Sequence, residues 1–223
     1  VEALLPRTAG VAITDAPDHR SRVARPRYQM SLSERMLLGR LVRRDEEAFN
    51  QVVRSYGDRV YNLVLRLVGS PAEAEDVAQE VFVTVFKSIE SYRGEAKLST
   101  WILRIAANHS KNRIKYLSRR RTTSHEARDG TDATDLPDEG KAPVQAHFDA
   151  PDVMLEAAET ERLLQEAIGK LDEEQRLLVV LRDVEELSYD EIVEITGLPE
   201  GTVKSRLHRA RMALKDLLEG KLK

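Results

Sequence analysis

The side chains best equipped for chemistry in this sequence are cations, and they are segregated. Between Glu95 and Glu126 there is no acid, yet Lys97, Arg104, Lys111, Arg113, Lys115 and the run Arg119-Arg120-Arg121 all fall there. A second basic block holds Lys204, Arg206, Arg209, Arg211 and Lys215. The stretch between them, Glu126 to Asp152, is acidic and relieved only by Arg128 and Lys141. The formal net charge of −3 averages this contrast away. Two cationic blocks on either side of an acidic tether suit two polyanion-binding surfaces, although solvated helix faces carry charge in the same way.

The two blocks differ in what accompanies the charge. In the first, Trp101, Ile102 and Ile105 make an apolar stripe with Trp101 as its core anchor, and the stripe is expected to continue at Asn108 and Asn112. Lys111 and Lys115 flank those amides. Amides can read the Watson–Crick edge of an unstacked base and cations can hold its backbone, the requirement for gripping a single strand. In the second block, Ile192, Val193 and Ile195 lead to Gly197-Leu198-Pro199 and then to a long helical pattern. That is a helix, a turn and a second helix, with Val203, Leu207, Ala210 and Leu214 as the buried stripe. Its outer side presents Thr202, Lys204, Ser205, His208 and Arg209 with Arg206 beside them, a set suited to base edges and phosphates in a major groove.

Other chemistries lack their parts. With no Cys there is no disulfide framework, thiolate zinc site or cysteine nucleophile. His19, His109, His125, His147 and His208 stand singly, none three residues after a Glu, so a carboxylate–histidine di-metal bundle is not supported. There is no phosphate-binding Walker loop and no dinucleotide glycine motif. No catalytic residue, metal or cofactor is expected. No apolar run approaches the ~20 residues of a membrane helix, and Val11-Ala12-Ile13 is followed at once by Thr14-Asp15, unlike a signal core. A cytoplasmic protein without membrane insertion is the expectation.

The elements that must position these side chains are all helical. The 223 residues allow two small domains. Residues 1–30, with Pro6, Pro17 and Pro26, read as a disordered leader. A helical pattern runs from Ser33 through Leu67 and Val68 and stops at Gly69. Ser70-Pro71-Ala72-Glu73 reads as a capping box opening the next helix, and a further helix begins near Ser99 and runs to about Leu117. Residues 118–151 read as an acidic linker. Pattern returns at Asp152, with further caps at Asp172-Glu173-Glu174-Gln175 and Ser188-Tyr189-Asp190-Glu191. The expected fold is all-α: an N-terminal domain over 31–117 and a C-terminal helix-turn-helix domain over 152–223.

At this point the order of motifs resembles a known family. Ala72-Glu73-Ala74-Glu75-Asp76-Val77-Ala78-Gln79-Glu80-Val81-Phe82 is followed by Tyr92-Arg93-Gly94 and Ser99-Thr100-Trp101-Ile102-Leu103-Arg104-Ile105-Ala106-Ala107-Asn108. The C-terminal part carries Leu187-Ser188-Tyr189-Asp190-Glu191-Ile192 and Gly201-Thr202-Val203-Lys204-Ser205-Arg206-Leu207. Together they resemble the bacterial sigma factors of the extracytoplasmic-function class over about residues 34–117 and 152–219. The resemblance implies that Asp76, Gln79, Glu80 and Val83 dock, with Phe86 nearby, on the clamp coiled coil of RNA polymerase core. It implies that Arg93, Gly94, Asn108, Lys111, Asn112 and Lys115 hold the melted minus-ten strand. Thr202, Lys204, Ser205, Arg206, His208 and Arg209 then read the minus-thirty-five duplex, with the polymerase flap as a second contact and an anti-sigma factor as regulator.

The long leader and the long acidic linker depart from what the domains need. By analogy the linker threads toward the RNA exit path, and its charge is expected to compete with DNA for the basic surfaces of the free chain. A helix-turn-helix regulator that acts without being a polymerase subunit remains open on the sequence.

Overall fold

In the computed structural model, residues 28–126 and 151–219 are described. Of the leader expected over 1–30, residues 1–27 lie outside the described residues, as do residues 127–150 of the linker expected over 118–151. Every regular element among the described residues is helical. The helices are α1 (Leu32–Val42), α2 (Glu46–Val68), α3 (Pro71–Ser88), α4 (Leu98–Glu126), α5 (Pro151–Lys170), α6 (Glu173–Val179), α7 (Tyr189–Thr196) and α8 (Glu200–Glu219). A 3-10 turn, Ile89–Ser91, follows α3, and a π turn, Val180–Val184, follows α6.

Three sequence expectations change. The pattern read as one helix from Ser33 to Val68 is two, because Arg44 takes a positive φ of 62° and the Asp45 side chain caps a new helix by accepting the Ala48 N–H at 3.2 Å. Ser70 makes no side-chain cap to α3, although Pro71 does sit at the first helical position. Glu73, the other half of that expected box, is drawn instead to Arg113 of α4. Finally, α4 runs on to Glu126, past the expected end near Leu117.

The first four helices pack with α2, α3 and α4 in mutual contact and α1 against α2; α5, α6, α7 and α8 form a second group. Fully buried side chains at the two centres include Leu63, Ile102 and Leu103 in the first and Ile168, Leu178, Leu181 and Leu207 in the second. Such side chains each stabilise a core by roughly 1.5–3 kcal/mol relative to exposure. The groups also pack on each other, α4 against α7 and α2 against α5 and α6, so the buried residues form one continuous cluster.

Polar contacts fix that junction. Arg176 of α6, a half-buried cation, donates to Leu67 O at 2.7 Å at the end of α2, and to Gly169 O at 2.6 Å and Leu171 O at 3.1 Å. It thus satisfies carbonyls that a helix end leaves without partners. Burial holds its guanidinium below the usual arginine value, against the pull of Glu173 and Asp172. Gln165 donates to Arg66 O at 3.4 Å, and Arg66 pairs with Glu161 at 2.8 Å.

Candidate nucleic-acid interface

The loop between the 3-10 turn and α4 is a braced structure. Tyr92 is buried against Trp101, ring centroids 5.3 Å apart, and its hydroxyl donates to Ala96 O at 2.7 Å. Burial, with Glu34 second, pushes the Tyr92 phenol well up, so it stays a donor. Trp101 is 8 % exposed, a core anchor as expected. Gly94 has φ 69°, a conformation that side chains resist. Arg93, Glu95 and Lys97 project outward from this brace.

The buried side of α4 runs through Leu98, Ile102, Ala106 and Ser110, and Ser110 returns its hydroxyl to Ala106 O at 2.9 Å. Asn108 and Asn112 therefore do not continue the apolar stripe, as the sequence had suggested; both are exposed. The stripe follows the i, i+4 row from Ile102 rather than the one from Trp101. The amides instead share a face with Arg104, Lys111 and Lys115, spaced i, i+4, i+7, i+8 and i+11 from Arg104. Arg113 leaves the basic block altogether. It turns to α3, pairing with Glu73 and with Glu80 at 2.8 Å.

On α3, Asp76, Gln79, Glu80, Val83 and Phe86 are all exposed at helical spacing. Val83 is 50 % exposed, unusual for an apolar side chain in the middle of a helix. Phe86 meets Phe49 edge-on with centroids 5.0 Å apart, and Arg44 lies 4.7 Å over its ring. Glu80 is also approached by His109 Nδ1 at 3.4 Å. The acids are thus partly neutralised from within the chain, while the apolar pair beside them is open.

The C-terminal motif has its expected geometry. Ser188 and Glu191 form a reciprocal capping box, Ser188 N donating to Glu191 Oε2 at 2.9 Å and Glu191 N to Ser188 Oγ at 3.3 Å. Gly197, at φ 71°, ends α7 and its N–H donates to Val193 O at 2.8 Å. Val203, Leu207 and Ala210 of α8 are buried, and Lys204, Ser205, His208 and Arg209 are exposed, with Thr202 and Arg206 half-buried. Lys204 leans on Glu200 at 2.7 Å, Arg206 pairs with Glu174, and Arg211 is held by Asp183 at 3.0 Å. His208 and Arg209 project beyond these pairs.

The structure also assembles a cleft that sequence spacing did not reveal. Arg93, Gly94, Glu95, Lys97 and Thr100 line one side, Ser188, Asp190, Glu191 and Glu194 of α7 the other, and Tyr28 a third. Lys97 Nζ donates to Glu191 Oε1 across it at 2.9 Å. Nothing in local sequence pattern signals a contact between residues so far apart. Among the described residues no cluster of His, Asp and Glu could hold a metal ion, and no helix is long and apolar enough to cross a membrane.

Comparison with known proteins covers both halves. Residues 52–122 match the family described as Sigma-70 region 2, and residues 161–214 match Sigma-70, region 4. An ECF RNA polymerase sigma-E factor of Haemophilus influenzae is 35 % identical over 86 % of this chain and 96 % of its own length. The ECF RNA polymerase sigma factor SigW of Bacillus subtilis is 36 % identical over 78 % of this chain and 90 % of its own. CnrH, solved in complex with the cytosolic domain of CnrY, has the same fold, with a TM-score of 0.58 at 22 % identity over 83 % of this chain and 97 % of that one. The chain belongs to the ECF RNA polymerase sigma factors, transcription initiation factors that bind RNA polymerase core and direct it to promoters.

Proposed function

We propose that this sigma factor divides promoter recognition between two domains. Residues 31–117 anchor on polymerase and hold the melted minus-ten strand, and residues 152–223 read the minus-thirty-five duplex. The observation that carries this is the acid-free face of α4, where exposed Asn108 and Asn112 alternate with Arg104, Lys111 and Lys115. Arg93 and Gly94 stand in the loop just ahead of it. A base taken from the stack costs a few kcal/mol, so amides and cations on one rigid helix supply what keeps the strand open. The exposed residues of α3, Asp76, Gln79, Glu80 and Val83, suit a basic partner helix with apolar contacts, the clamp coiled coil. The face of α8 with Thr202, Lys204, Ser205, Arg206, His208 and Arg209 suits the major groove. The flap is the partner proposed for the C-terminal domain.

In the free chain, α7 sets Asp190, Glu191 and Glu194 across from Arg93, Glu95 and Lys97. Phosphates entering the cleft meet like charge. Strand capture therefore requires α7 to withdraw, and the free chain binds DNA less well than the polymerase-bound chain. The acidic linker, expected to play this part, lies outside the described residues; α7 supplies carboxylates for the same task. RpoE of Bartonella quintana, 23 % identical with a TM-score of 0.57, was solved with the anti-sigma factor NepR, and CnrH with CnrY. We infer an anti-sigma partner from those complexes, and a stress or envelope signal and a cytoplasmic location from membership in the ECF class.

Run-off transcription with RNA polymerase core on a promoter library tests the reading. Specific start sites are expected only when core and this chain are both present. Tight, specific duplex binding by the chain alone, with no core-dependent initiation, would instead indicate a conventional helix-turn-helix regulator.

A further inference from the structure

A cleft that holds unpaired bases gains from an aromatic face, since stacking is tolerant of base identity. The aromatic residues of the loop itself are not free for this. Tyr92 and Trp101 are 7 % and 8 % exposed and pack on each other. Among the residues lining the cleft, Tyr28 is the aromatic one, and it stands ahead of α1 in a segment that no motif claimed. It is half-buried, and it also lines the adjoining groove along α1 with Met30, Arg35 and Leu38.

The position of Tyr28 is fixed from two directions. Its hydroxyl donates to Glu34 Oε2, and the other oxygen of Glu34 accepts the Leu98 N–H at 3.1 Å. Leu98 opens α4, a helix with no acid in its first turn, so the carboxylate of Glu34 caps it from another helix. One side chain thereby ties the Tyr28 hydroxyl to the helix that bears Asn108 and Asn112. Two residues on, the Met30 methyl occupies the space that a Cβ on Gly94 would need. The segment from Tyr28 to Met30 is therefore seated on the loop rather than passing near it.

We propose that Tyr28 is a base-stacking residue of the strand cleft, with Glu34 as the residue that positions it. This rests on the assignment of the loop and α4 to melted-strand capture. The ring supplies the aromatic face, Arg93 and Lys97 supply charge for the backbone, and the anchored hydroxyl keeps the phenol from collapsing into the groove beside α1.

The test uses the full chain assembled with RNA polymerase core and a mixed-sequence duplex ending in an unpaired overhang. With 5-iododeoxyuridine in the overhang, ultraviolet light is expected to crosslink the strand to residue 28, mapped by mass spectrometry. Tyr28→Leu is expected to weaken overhang binding about five- to fifty-fold, while Tyr28→Phe, which keeps the ring but loses the tie to Glu34, is expected to weaken it only about two- to fivefold. Binding to a blunt duplex is expected to be unchanged in both. No crosslink at residue 28 overturns the proposal, as does a Tyr28→Phe defect equal to that of Tyr28→Leu. The parent reading fails separately: if Asn108→Ala with Asn112→Ala binds the overhang like wild type, the α4 face is not the strand site. If that pair weakens binding and Tyr28→Leu does not, only the role of Tyr28 is lost. The crosslink on unaltered protein decides the matter even where a variant folds poorly.

Discussion

Arg59 and Glu185 lie 126 residues apart and meet Nε to Oε2 at 2.6 Å, with the Glu185 side chain 7 % exposed. Arg59 also donates to the Glu185 carbonyl at 3.1 Å, so one guanidinium holds both the side chain and the backbone of the residue that follows the π turn. A carboxylate this buried depends on its partner, because losing the cation leaves a charge without compensation. This pair and Arg176 at the end of α2 are two of the clasps between the domains, beside the pairs of Arg66 with Glu161 and of Lys97 with Glu191.

Arg59→Ala is accordingly expected to open the chain. Small-angle scattering of the free protein should give a larger radius of gyration than wild type. Affinity for a single-stranded oligonucleotide should rise several-fold as the acids of α7 move off the loop. An unchanged radius together with unchanged affinity would show that the clasp does not govern access to the cleft.

Arg209→Ala bears on the duplex face. Arg209 is exposed on α8 beside His208, and it is not committed to a carboxylate as Arg206 is to Glu174. If Arg209 touches a base, its removal costs the holoenzyme about 1–3 kcal/mol on a specific promoter and relaxes selection at one position. If it touches phosphate, affinity drops alike on all sequences and the salt slope falls by about one. Selection from a randomised upstream element separates the two. Equal affinity and equal selectivity would remove Arg209 from the interface.

Much of this was legible in the sequence, for identifiable reasons. The helix-turn-helix could be read because its signals are local: the Ser188–Glu191 box, Gly197 at the turn and the four-residue spacing of Val203 and Leu207. The exposed set on α3 was readable for the same reason. The burial pattern of α4 was misjudged because Trp101 and Ile102 start two different rows, and the neighbouring helices choose the Ile102 row. Arg113 looked like part of a DNA-binding block because sequence shows its basic neighbours but not Glu73 and Glu80 on α3. Tyr28, Glu34, Arg59 and Arg176 had no local signature. Each acts on a group more than a hundred residues away or in another helix, and only packing brings those groups together.

Val83→Asp tests the polymerase surface. Val83 is half exposed at the centre of a face whose acids are already partly paired with Arg113, with His109 Nδ1 3.4 Å from Glu80. Apolar contact should therefore matter as much as charge. Placing a carboxylate there buries it without a partner on docking, and about 2 kcal/mol or more of core affinity should be lost, while the fold is untouched because the side chain faces solvent. Competition for core polymerase, read alongside thermal unfolding of the free chain, checks this. Full core affinity in the variant would move the docking site off α3.

Glu191 joins local helix capping to domain closure, and pH should reveal it. Burial alone raises its carboxyl, but the Ser188 N–H, the Lys97 ammonium and the Ser188 hydroxyl together hold it below the usual carboxylate value. A carboxyl lowered in the folded state stabilises the fold above the unfolded value of about 4.3, and that contribution fades as pH falls through the lower folded value. Glu191→Gln should therefore be less stable than wild type at pH 7, by about 1 kcal/mol for the weakened cap. As pH falls below the unfolded value and through the lower folded one the two proteins should converge, because the wild-type carboxyl is then losing its charge. Lys97→Ala should reproduce the part of this pH dependence that comes from the cross-domain pair, while leaving the capping box whole. Urea unfolding of the three proteins at pH 7 and in acid separates the contributions. A wild-type advantage that persists undiminished in acid would mean that the ionised carboxylate is not what holds α7 at the cleft.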